Sequence, residues 1–235
     1  MNRSRSRKVK RSRSQKTKKI KKKVFLILGT SSTGKTSLIQ NYLLPNTPHS
    51  VYVWADGIFD DLTKEFAHVR GLQWKELKPM VRPRMIEEVK KIQNKIVFVD
   101  DITPDLLDID VPNKHSILLY TPLHQLARQA KSRKAGDSRP LAGVLNSFID
   151  FYTTDPTEES IEIDIISKDD IADFLDQEKM TEKIKEKAFK KACRKMKLKG
   201  DDDVPLYTRR HFDTVVNTEG LSTEEVYHKI KRLFK

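Results

Sequence analysis

Short, continuous blocks of apolar residues alternate along the chain with stretches in which apolar residues recur every three or four positions. The blocks lie at residues 24–28, 51–54, 96–99, 116–120 and 212–216. Blocks of this length without alternating polar positions are typical of parallel strands that are covered on both faces. They predict the five strands of a mainly parallel sheet.

Helical periodicity fills most of the intervals between these strands. It predicts helices at residues 36–44, 83–93, 122–134 and 140–152. A last helix is expected after Ser222, because Ser222 and Glu225 form the pattern of a capping box. Strands that alternate with helices indicate an α/β fold of three layers, with helices on both sides of the sheet.

The predicted strands are unevenly spaced, since about 90 residues separate the fourth from the fifth. We expect this interval to hold a lid at about residues 122–154 and an inserted helical segment at about 155–207. Residues 155–178 carry ten acids and one lysine, whereas residues 179–199 carry ten basic residues and two acids. The latter range predicts an amphipathic helix with a basic outer face, whose apolar face is Met180, Ile184, Ala188, Ala192 and Met196.

The positive charge of the chain is concentrated at its N-terminus. The 235 residues include 46 basic and 33 acidic ones, and residues 1–23 hold thirteen of the basic residues and no acid. The remainder is formally neutral, so the net charge of +13 does not indicate a nucleic-acid-binding body. We expect residues 1–23 to be a disordered basic tail that contacts polyanions or nucleic acid, or acts as a nuclear or nucleolar address.

Several classes of protein are excluded by composition. No apolar run approaches the roughly 18 residues that a membrane span requires, so no membrane partner is expected. Cys193 is the only cysteine, which excludes an intramolecular disulfide and favours a reducing, intracellular and cytoplasmic compartment. The six histidines form no metal-ligand pattern, so a zinc site is not expected.

The segment Gly29-Thr-Ser-Ser-Thr-Gly34-Lys35-Thr36 matches the phosphate-binding pattern G-x-x-x-x-G-K-[ST], between a predicted strand and a predicted helix. The two glycines allow consecutive N–H groups to turn towards one anion, and the helix adds its positive dipole end. Lys35 is expected to contact the phosphates and Thr36 to ligate Mg²⁺. The pattern predicts a nucleoside triphosphate site made of Gly29, Thr30, Ser31, Ser32, Thr33, Gly34, Lys35, Thr36 and Ser37.

Acidic residues end two of the predicted strands. Asp100 is expected to serve the Mg²⁺ site, with Asp101 as the alternative ligand or as the cap of the next turn. Asp56 stands beside Gly57 after the second strand. Ligands gather at the carboxyl ends of parallel strands, so Asp56 should face the same cleft, either as a general base or as an ordinary turn residue.

Arginines follow the fourth predicted strand. Arg133 and Arg139 are expected to close over the transferring phosphoryl group and neutralise its oxygens, with the lid bending at Gly136. The alternative for each arginine is a solvated basic helix face.

Together these motifs resemble the chloramphenicol phosphotransferase-like branch of P-loop kinases, over most of residues 24–154 and 208–235. The matching segments are Trp54-Ala-Asp56-Gly-Ile-Phe, the lid segment Arg133…Gly136-Asp137-Ser-Arg139, and His211-Phe-Asp213-Thr-Val-Val-Asn-Thr218 with Leu221-Ser-Thr-Glu-Glu225. The lid spacing departs from the family, and Phe212 stands where a tyrosine is usual. The resemblance implies a P-loop NTPase fold, ATP and Mg²⁺ as cofactors, and Asp56 as the base.

The sequence therefore predicts an ATP/Mg²⁺-dependent phosphotransferase that acts on a hydroxyl of a small-molecule or nucleotide acceptor. Its expected catalytic residues are Lys35, Asp56, Arg133 and Arg139. Two alternatives stay open: a nucleic-acid end kinase, suggested by the tail and residues 179–199, and a nucleotide-binding module that transfers nothing. Asp56 discriminates, because only a transferase needs a base there.

Overall fold

The computed structural model describes residues 21–68, 74–93, 95–132 and 140–234. In chain order its strands are β1 (Lys23–Leu28), β2 (Ser50–Trp54), β3 (Ile96–Asp101), β4 (Lys114–Tyr120), β5 (Tyr152–Thr153), β6 (Glu162–Ile166), β7 (Val204–Thr208) and β8 (Thr214–Asn217). Its helices are α1 (Lys35–Leu38), α2 (Leu44–Asn46), α3 (Ala55–Glu65), α4 (Trp74–Lys91), α5 (Leu123–Lys131), α6 (Leu141–Phe151), α7 (Lys168–Asp176), α8 (Glu182–Met196) and α9 (Thr223–Ile230). A π-helical turn, Ile39–Leu43, joins α1 to α2, and short 3-10 helices lie at Pro104–Asp108 and Lys231–Phe234.

Five strands form a parallel sheet in the order β2-β3-β1-β4-β8. These are the five strands that the apolar blocks predict. Strand β1 is central, with Leu26 opposite Val99 of β3 on one side and Ser116 of β4 on the other. The carboxyl ends of β1, β3 and β2 therefore meet at one edge of the sheet. Four of the predicted site residues end or follow these strands: Lys35, Thr36, Asp56 and Asp100.

The continuous apolar block of β1 follows from burial on both faces of the sheet. Val24, Leu26 and Leu28 pack into a core that includes residues of α3 to α8, whereas Phe25 and Ile27 pack against α1 and α9. All five side chains are buried. A polar residue at any of them would have no access to water, which is why no alternation is seen.

Helix α4 begins at Trp74, earlier than the predicted start at residue 83. Pro79 and Pro83 lie inside it. Proline removes a helical hydrogen bond, so the sequence favoured a start at the second proline. Packing offsets that cost, because the helix buries a row of residues spaced by four: Leu77, Val81, Met85 and Val89.

Strand β8 is fastened to β4 by side chains at both of its ends. The Asp213 carboxylate accepts hydrogen bonds from Ser116 N and Ser116 Oγ, each at 2.7 Å. At the other end, Thr218 N and Thr218 Oγ1 donate to Tyr120 O at 2.8 and 2.9 Å. The four residues between Asp213 and Thr218 are the four residues of β8, so the spacing of these two side chains in the sequence equals the length of the strand that they hold in place.

The inserted segment contributes β6 and most of β7 to a small antiparallel sheet, in the order β5-β7-β6, whose remaining strand β5 lies at the end of the predicted lid. The sequence analysis did not predict this sheet. Helix α8 is the predicted amphipathic helix. Its Ala192 and Met196 are fully buried, and Met180 and Ala188 are partly buried against the same core. Ile184 is 52% exposed, so the predicted apolar face packs everywhere except at this residue. The Tyr152 ring of β5 lies edge-on to Tyr120 of β4 at 5.4 Å and joins this sheet to the central one.

The residues before the central sheet are partly described. Residues 1–20 of the predicted tail lie outside the described residues. Lys23 belongs to β1, the Lys22 ammonium donates to Val89 O, and Asn113 Nδ2 donates to Lys22 O at 3.0 Å. Residues 22 and 23 thus belong to the folded body, which corrects the boundary predicted after residue 23. No helix in the described ranges is both long and apolar enough to cross a membrane.

We call the two hydrogen bonds from Ser116 to the Asp213 carboxylate the Asp213 clamp. We expect this clamp to stabilise the protein only while the carboxylate is ionised. Partial burial raises the pKa of Asp213, but the bonds from Ser116 and the nearby His115 and His211 outweigh it and hold this pKa below 3.8. The stabilisation is then complete above pH values near 3.8 and is lost as the pH falls through the lowered pKa of the folded state. At pH 7, Asp213→Asn should cost about 1 kcal/mol, a modest value because the side chain is exposed.

Urea unfolding at pH values from about 7 down to about 3 measures this difference. The gap between the parent protein and Asp213→Asn should close at the acid end. Asp202→Asn, an exposed change in the turn before β7, serves as the matched control and should leave stability unchanged. A deficit of Asp213→Asn that persists undiminished at the lowest pH would contradict the ionic origin of the clamp.

Candidate active site

A tight loop, residues 29–34, joins β1 to α1 at the carboxyl edge of the central sheet. Its backbone has positive φ at Gly29 (154°), Ser32 (75°) and Gly34 (82°). A Cβ atom on Gly29 would lie only 2.6 Å from Leu119 O, so the loop passes β4 where nothing larger than glycine fits. Gly34 has no such neighbour and is required for its φ alone.

The Lys35 side chain lies beneath this loop and is only 6% exposed. Lys35 Nζ donates to Gly29 O at 2.9 Å and to Thr30 O at 2.8 Å, and it lies 3.4 Å from Thr33 Oγ1. The ammonium group thus closes the loop as well as bringing positive charge to it. The sequence analysis assigned only the second of these roles.

Three loop hydroxyls are buried without a hydrogen-bond partner among the described residues: Thr30 Oγ1, Ser31 Oγ and Ser32 Oγ. A buried polar group without a partner costs about 1–3 kcal/mol, so three together indicate a site built for a ligand. The loop also ends at the N-terminus of a helix, whose free N–H groups attract anions. The arrangement suits a phosphate chain with several acceptor oxygens.

Ser147 of α6 braces the loop, a contact that the sequence analysis missed. Ser31 N donates to Ser147 Oγ at 3.3 Å, and Ser147 Oγ donates to Ile102 O at 3.1 Å. One buried hydroxyl therefore connects the loop, the turn after β3 and α6, which lies in the second half of the predicted lid. No local signal could have revealed it, since 116 positions separate the two serines.

Thr36 and Asp100 meet at the mouth of the loop. Thr36 Oγ1 donates to Asp100 Oδ2 at 3.1 Å. Burial raises the pKa of Asp100, opposed by the charge of Lys35 and by the hydroxyls of Tyr52 and Thr36. A hydroxyl and a carboxylate beside a phosphate site form a donor set that Mg²⁺ accepts, because this ion uses one or two carboxylates together with phosphate oxygens.

Asp101 belongs to a different network, although it is the next residue. Its Oδ1 accepts from Ile102 N at 2.6 Å, and its Oδ2 lies 3.3 Å from Thr103 Oγ1 and 3.7 Å from Arg82 Nε. These contacts order the turn after β3. Of the two acids, Asp100 is thus the one with a contact to the loop helix.

Asp56 lies at the carboxyl end of β2, in the first turn of α3, with its side chain exposed to solvent. Tyr52, a residue that the sequence analysis did not single out, lies near both Asp56 and Asp100. Burial raises the pKa of Tyr52, and the nearby carboxylates of Asp100 and Asp56 raise it further. The Tyr52 hydroxyl is buried and makes no hydrogen bond of normal geometry with the described residues.

A cavity of about 550 Å³ opens beside β2. Its aromatic wall is Trp54, 40% exposed, stacked on Tyr52 at a centroid distance of 5.0 Å. Gly57 makes room for the indole, because a Cβ there would lie 2.5 Å from a ring atom. Charged residues complete the lining: Asp60, Asp61, Lys64, Arg84 and Glu88. An aromatic wall with charged residues opposite is suited to a small polar molecule.

The predicted lid, at about residues 122–154, is described except for residues 133–139. Helix α5 ends at Lys131 and α6 begins at Leu141. Arg133, Gly136 and Arg139, to which the sequence analysis gave the closing role, lie outside the described residues. Their assignment stays a prediction.

No family model and no curated protein sequence matches the chain. Among solved structures, it is similar to the tunicamycin resistance protein of Deinococcus radiodurans (16% identity, 90% of this chain and 95% of that chain, TM-score 0.48). It is also similar to shikimate kinase from Acinetobacter baumannii (14%, 90% and 92%, TM-score 0.43) and thymidylate kinase from Candida albicans (11%, 91% and 91%, TM-score 0.43). Likenesses this distant say nothing of activity. The strand order, the parallel register and the loop after β1 are those of the P-loop kinase fold.

The two glycines of the loop should differ in their tolerance of a side chain. Gly29→Ala combines a positive φ with a backbone clash at 2.6 Å, whereas Gly34→Ala meets only the cost of its φ. We expect Gly34→Ala to lose about 1–2 kcal/mol and Gly29→Ala clearly more. Urea unfolding of both variants measures the difference, and equal losses would contradict the close approach of the loop to β4.

Proposed function

We propose that this protein is an ATP- and Mg²⁺-dependent phosphotransferase that transfers the γ-phosphoryl group to a hydroxyl of a small-molecule or nucleotide acceptor. The observation that carries the proposal is the 3.1 Å contact between Thr36 and Asp100 at the mouth of the loop that Lys35 closes. It brings a loop hydroxyl, a buried carboxylate and a buried ammonium group together at the end of β1 and β3. The resemblance to the chloramphenicol phosphotransferase-like branch supports the transfer reaction.

In this proposal the loop N–H groups and Lys35 bind the β- and γ-phosphates of ATP. Thr36 and Asp100 hold Mg²⁺, which when bound neutralises charge on the phosphate oxygens. Ser147 keeps the loop in place through Ser31 N. These residues supply position and charge, which account for most of the catalysis of phosphoryl transfer.

The acceptor enters the cavity beside β2, and Asp56 acts as its base. The acceptor oxygen forms the new P–O bond, the bond between the γ-phosphorus and the ADP oxygen breaks, and the hydroxyl proton passes to the Asp56 carboxylate. Asp56 lies beside Gly57 of the cavity lining, on the helix turn that follows Trp54. Arg133 and Arg139 close over the phosphoryl group.

A transfer screen with γ-labelled ATP tests the proposal. The acceptors are small alcohols and amino sugars, nucleosides, and the 5′-hydroxyl ends of RNA and DNA. We expect label on a small alcohol or nucleoside. Label on nucleic-acid ends would contradict the proposal and show that the protein is a nucleic-acid end kinase. Nucleotide binding without transfer to any acceptor would show that it is a nucleotide-binding module.

Substitution of the two neighbouring acids of β3, Asp100 and Asp101, should have different effects on Mg²⁺ binding. Asp100→Asn removes the carboxylate that contacts Thr36, so the thermal stabilisation by ATP should no longer increase when Mg²⁺ is added. At 100 times the dissociation constant, Mg²⁺·ATP should stabilise the parent protein by about 2.7 kcal/mol. Asp101→Asn is the matched control. It loosens the contact with Arg82 but should keep the Mg²⁺-dependent increase.

Asp56→Asn should separate transfer from binding. The change keeps the shape of the side chain but removes its basicity, so transfer to the acceptor found in the screen should fall by at least about 10²-fold. Nucleotide affinity should stay as in the parent protein. Asp202→Asn is the same chemical change at an exposed position before β7, away from the cavity, and should leave both quantities unchanged. If Asp56→Asn transfers phosphate at a near-parental rate, Asp56 is a turn residue and not the base. If the variant loses nucleotide binding, the Asp56 carboxylate binds the metal or stabilises the structure.

A further inference from the structure

The outer face of α8 carries a row of cations with no role in the proposed reaction. Lys183, Lys187, Lys190, Arg194 and Lys197 are all exposed and follow one another at intervals of four and three residues. At 100° and about 1.5 Å per residue, the first four lie along one side of α8 over about 16 Å, and Lys197, which caps the end of the helix, follows them. We call these five residues the basic stripe.

The basic stripe is held rigidly by the opposite face of the helix. Ala192 and Met196 are buried in the main core on that side. Lys191 Nζ donates to Asn146 Oδ1 of α6 at 2.7 Å, and Lys185 pairs with Asp176 of α7. The cations therefore stand on a docked helix, and a ligand does not have to order it.

The charge of the stripe is only partly neutralised by the protein. Lys190 pairs with Glu186, and Lys197 pairs with Asp155. Lys183, Lys187 and Arg194 have no ion-pair partner within the part of the chain that the structure describes. Residues 182–199 hold nine basic and two acidic residues, in a chain whose residues 24–235 are formally neutral.

We propose that the basic stripe binds the phosphate backbone of a nucleic-acid duplex. A regular row of cations along a rigid helix complements a regular row of phosphates, which a duplex presents at one charge per 1.7 Å of its axis. A membrane surface fits less well, because the apolar face of α8 is turned into the protein and only Ile184 is largely exposed. A single strand fits less well too, since Phe189, the aromatic residue of α8, packs against the core and offers no stacking platform.

The proposal does not depend on the phosphotransferase activity. Contacts to phosphates carry no sequence information, so binding should be independent of base sequence and steeply dependent on salt. Each phosphate neutralised adds about 0.9 to the slope of log K against log salt concentration. Residues 1–23 are also basic, but they are the same in every variant of the full chain. A difference in duplex binding between variants therefore measures the contribution of the basic stripe.

The test is fluorescence anisotropy of the full chain with a labelled DNA duplex of about 20 base pairs, at salt concentrations from about 50 to 300 mM. The stripe variant is Lys183→Gln, Lys187→Gln and Arg194→Gln together. Its salt slope should be smaller in magnitude by about 2.7, and near 150 mM salt its affinity should be lower by about two orders of magnitude. Two duplexes of unrelated sequence should give the same result.

The matched control carries Lys91→Gln, Lys95→Gln and Lys229→Gln, three exposed changes that give the same net charge. It should keep the parental slope. A second variant, Lys183→Arg, Lys187→Arg and Arg194→Lys, keeps the charge and should bind like the parent protein. Equal losses in stripe variant and control, or no loss in either, would overturn the proposal. So would unchanged duplex binding with lost binding to vesicles containing phosphatidylserine, which would make the stripe a membrane surface.

Discussion

The contact of the Lys35 ammonium with the carbonyls of Gly29 and Thr30 is the interaction on which the site depends. It places a buried positive charge at the end of the central strand and holds the loop in its tight course past β4. In a loop of this kind consecutive N–H groups can turn towards one anion, which is the condition for binding a phosphate chain. The same charge opposes the rise in the pKa of Asp100 that burial causes, and so favours the ionised carboxylate beside the loop.

The parallel sheet brings residues from other strands to the same edge as the loop. Because β1, β2 and β3 run in the same direction, Thr36, Asp56 and Asp100 emerge at the same edge although they are far apart in the chain. Ser147 of α6 then connects the second half of the predicted lid to the loop. A phosphotransferase needs these functions together: a phosphate site, a metal carboxylate and a base near an acceptor cavity.

The parts of the fold that sequence could predict are those set by local chemistry. Continuous apolar blocks gave the five strands because both faces of the sheet are covered, and the Ser222–Glu225 capping box is present at α9. The loop was predictable because its conformation needs glycine at fixed positions. What was missed depends on distant partners: α4 tolerates Pro83 through packing, β5 is two residues long, and the roles of Tyr52 and Ser147 arise only when separate elements meet.

The proposed function requires that the loop after β1 binds a nucleoside triphosphate with Mg²⁺. Amide chemical shifts, measured by NMR while a non-hydrolysable Mg²⁺·ATP analogue is added, test this binding at the level of single residues. We expect the largest shifts at residues 30–36, followed by Asp100 and its neighbours, and we expect the shift at Asp100 to require Mg²⁺. Shifts confined to other parts of the sheet, or no shift at a large excess of the analogue, would contradict the proposed function.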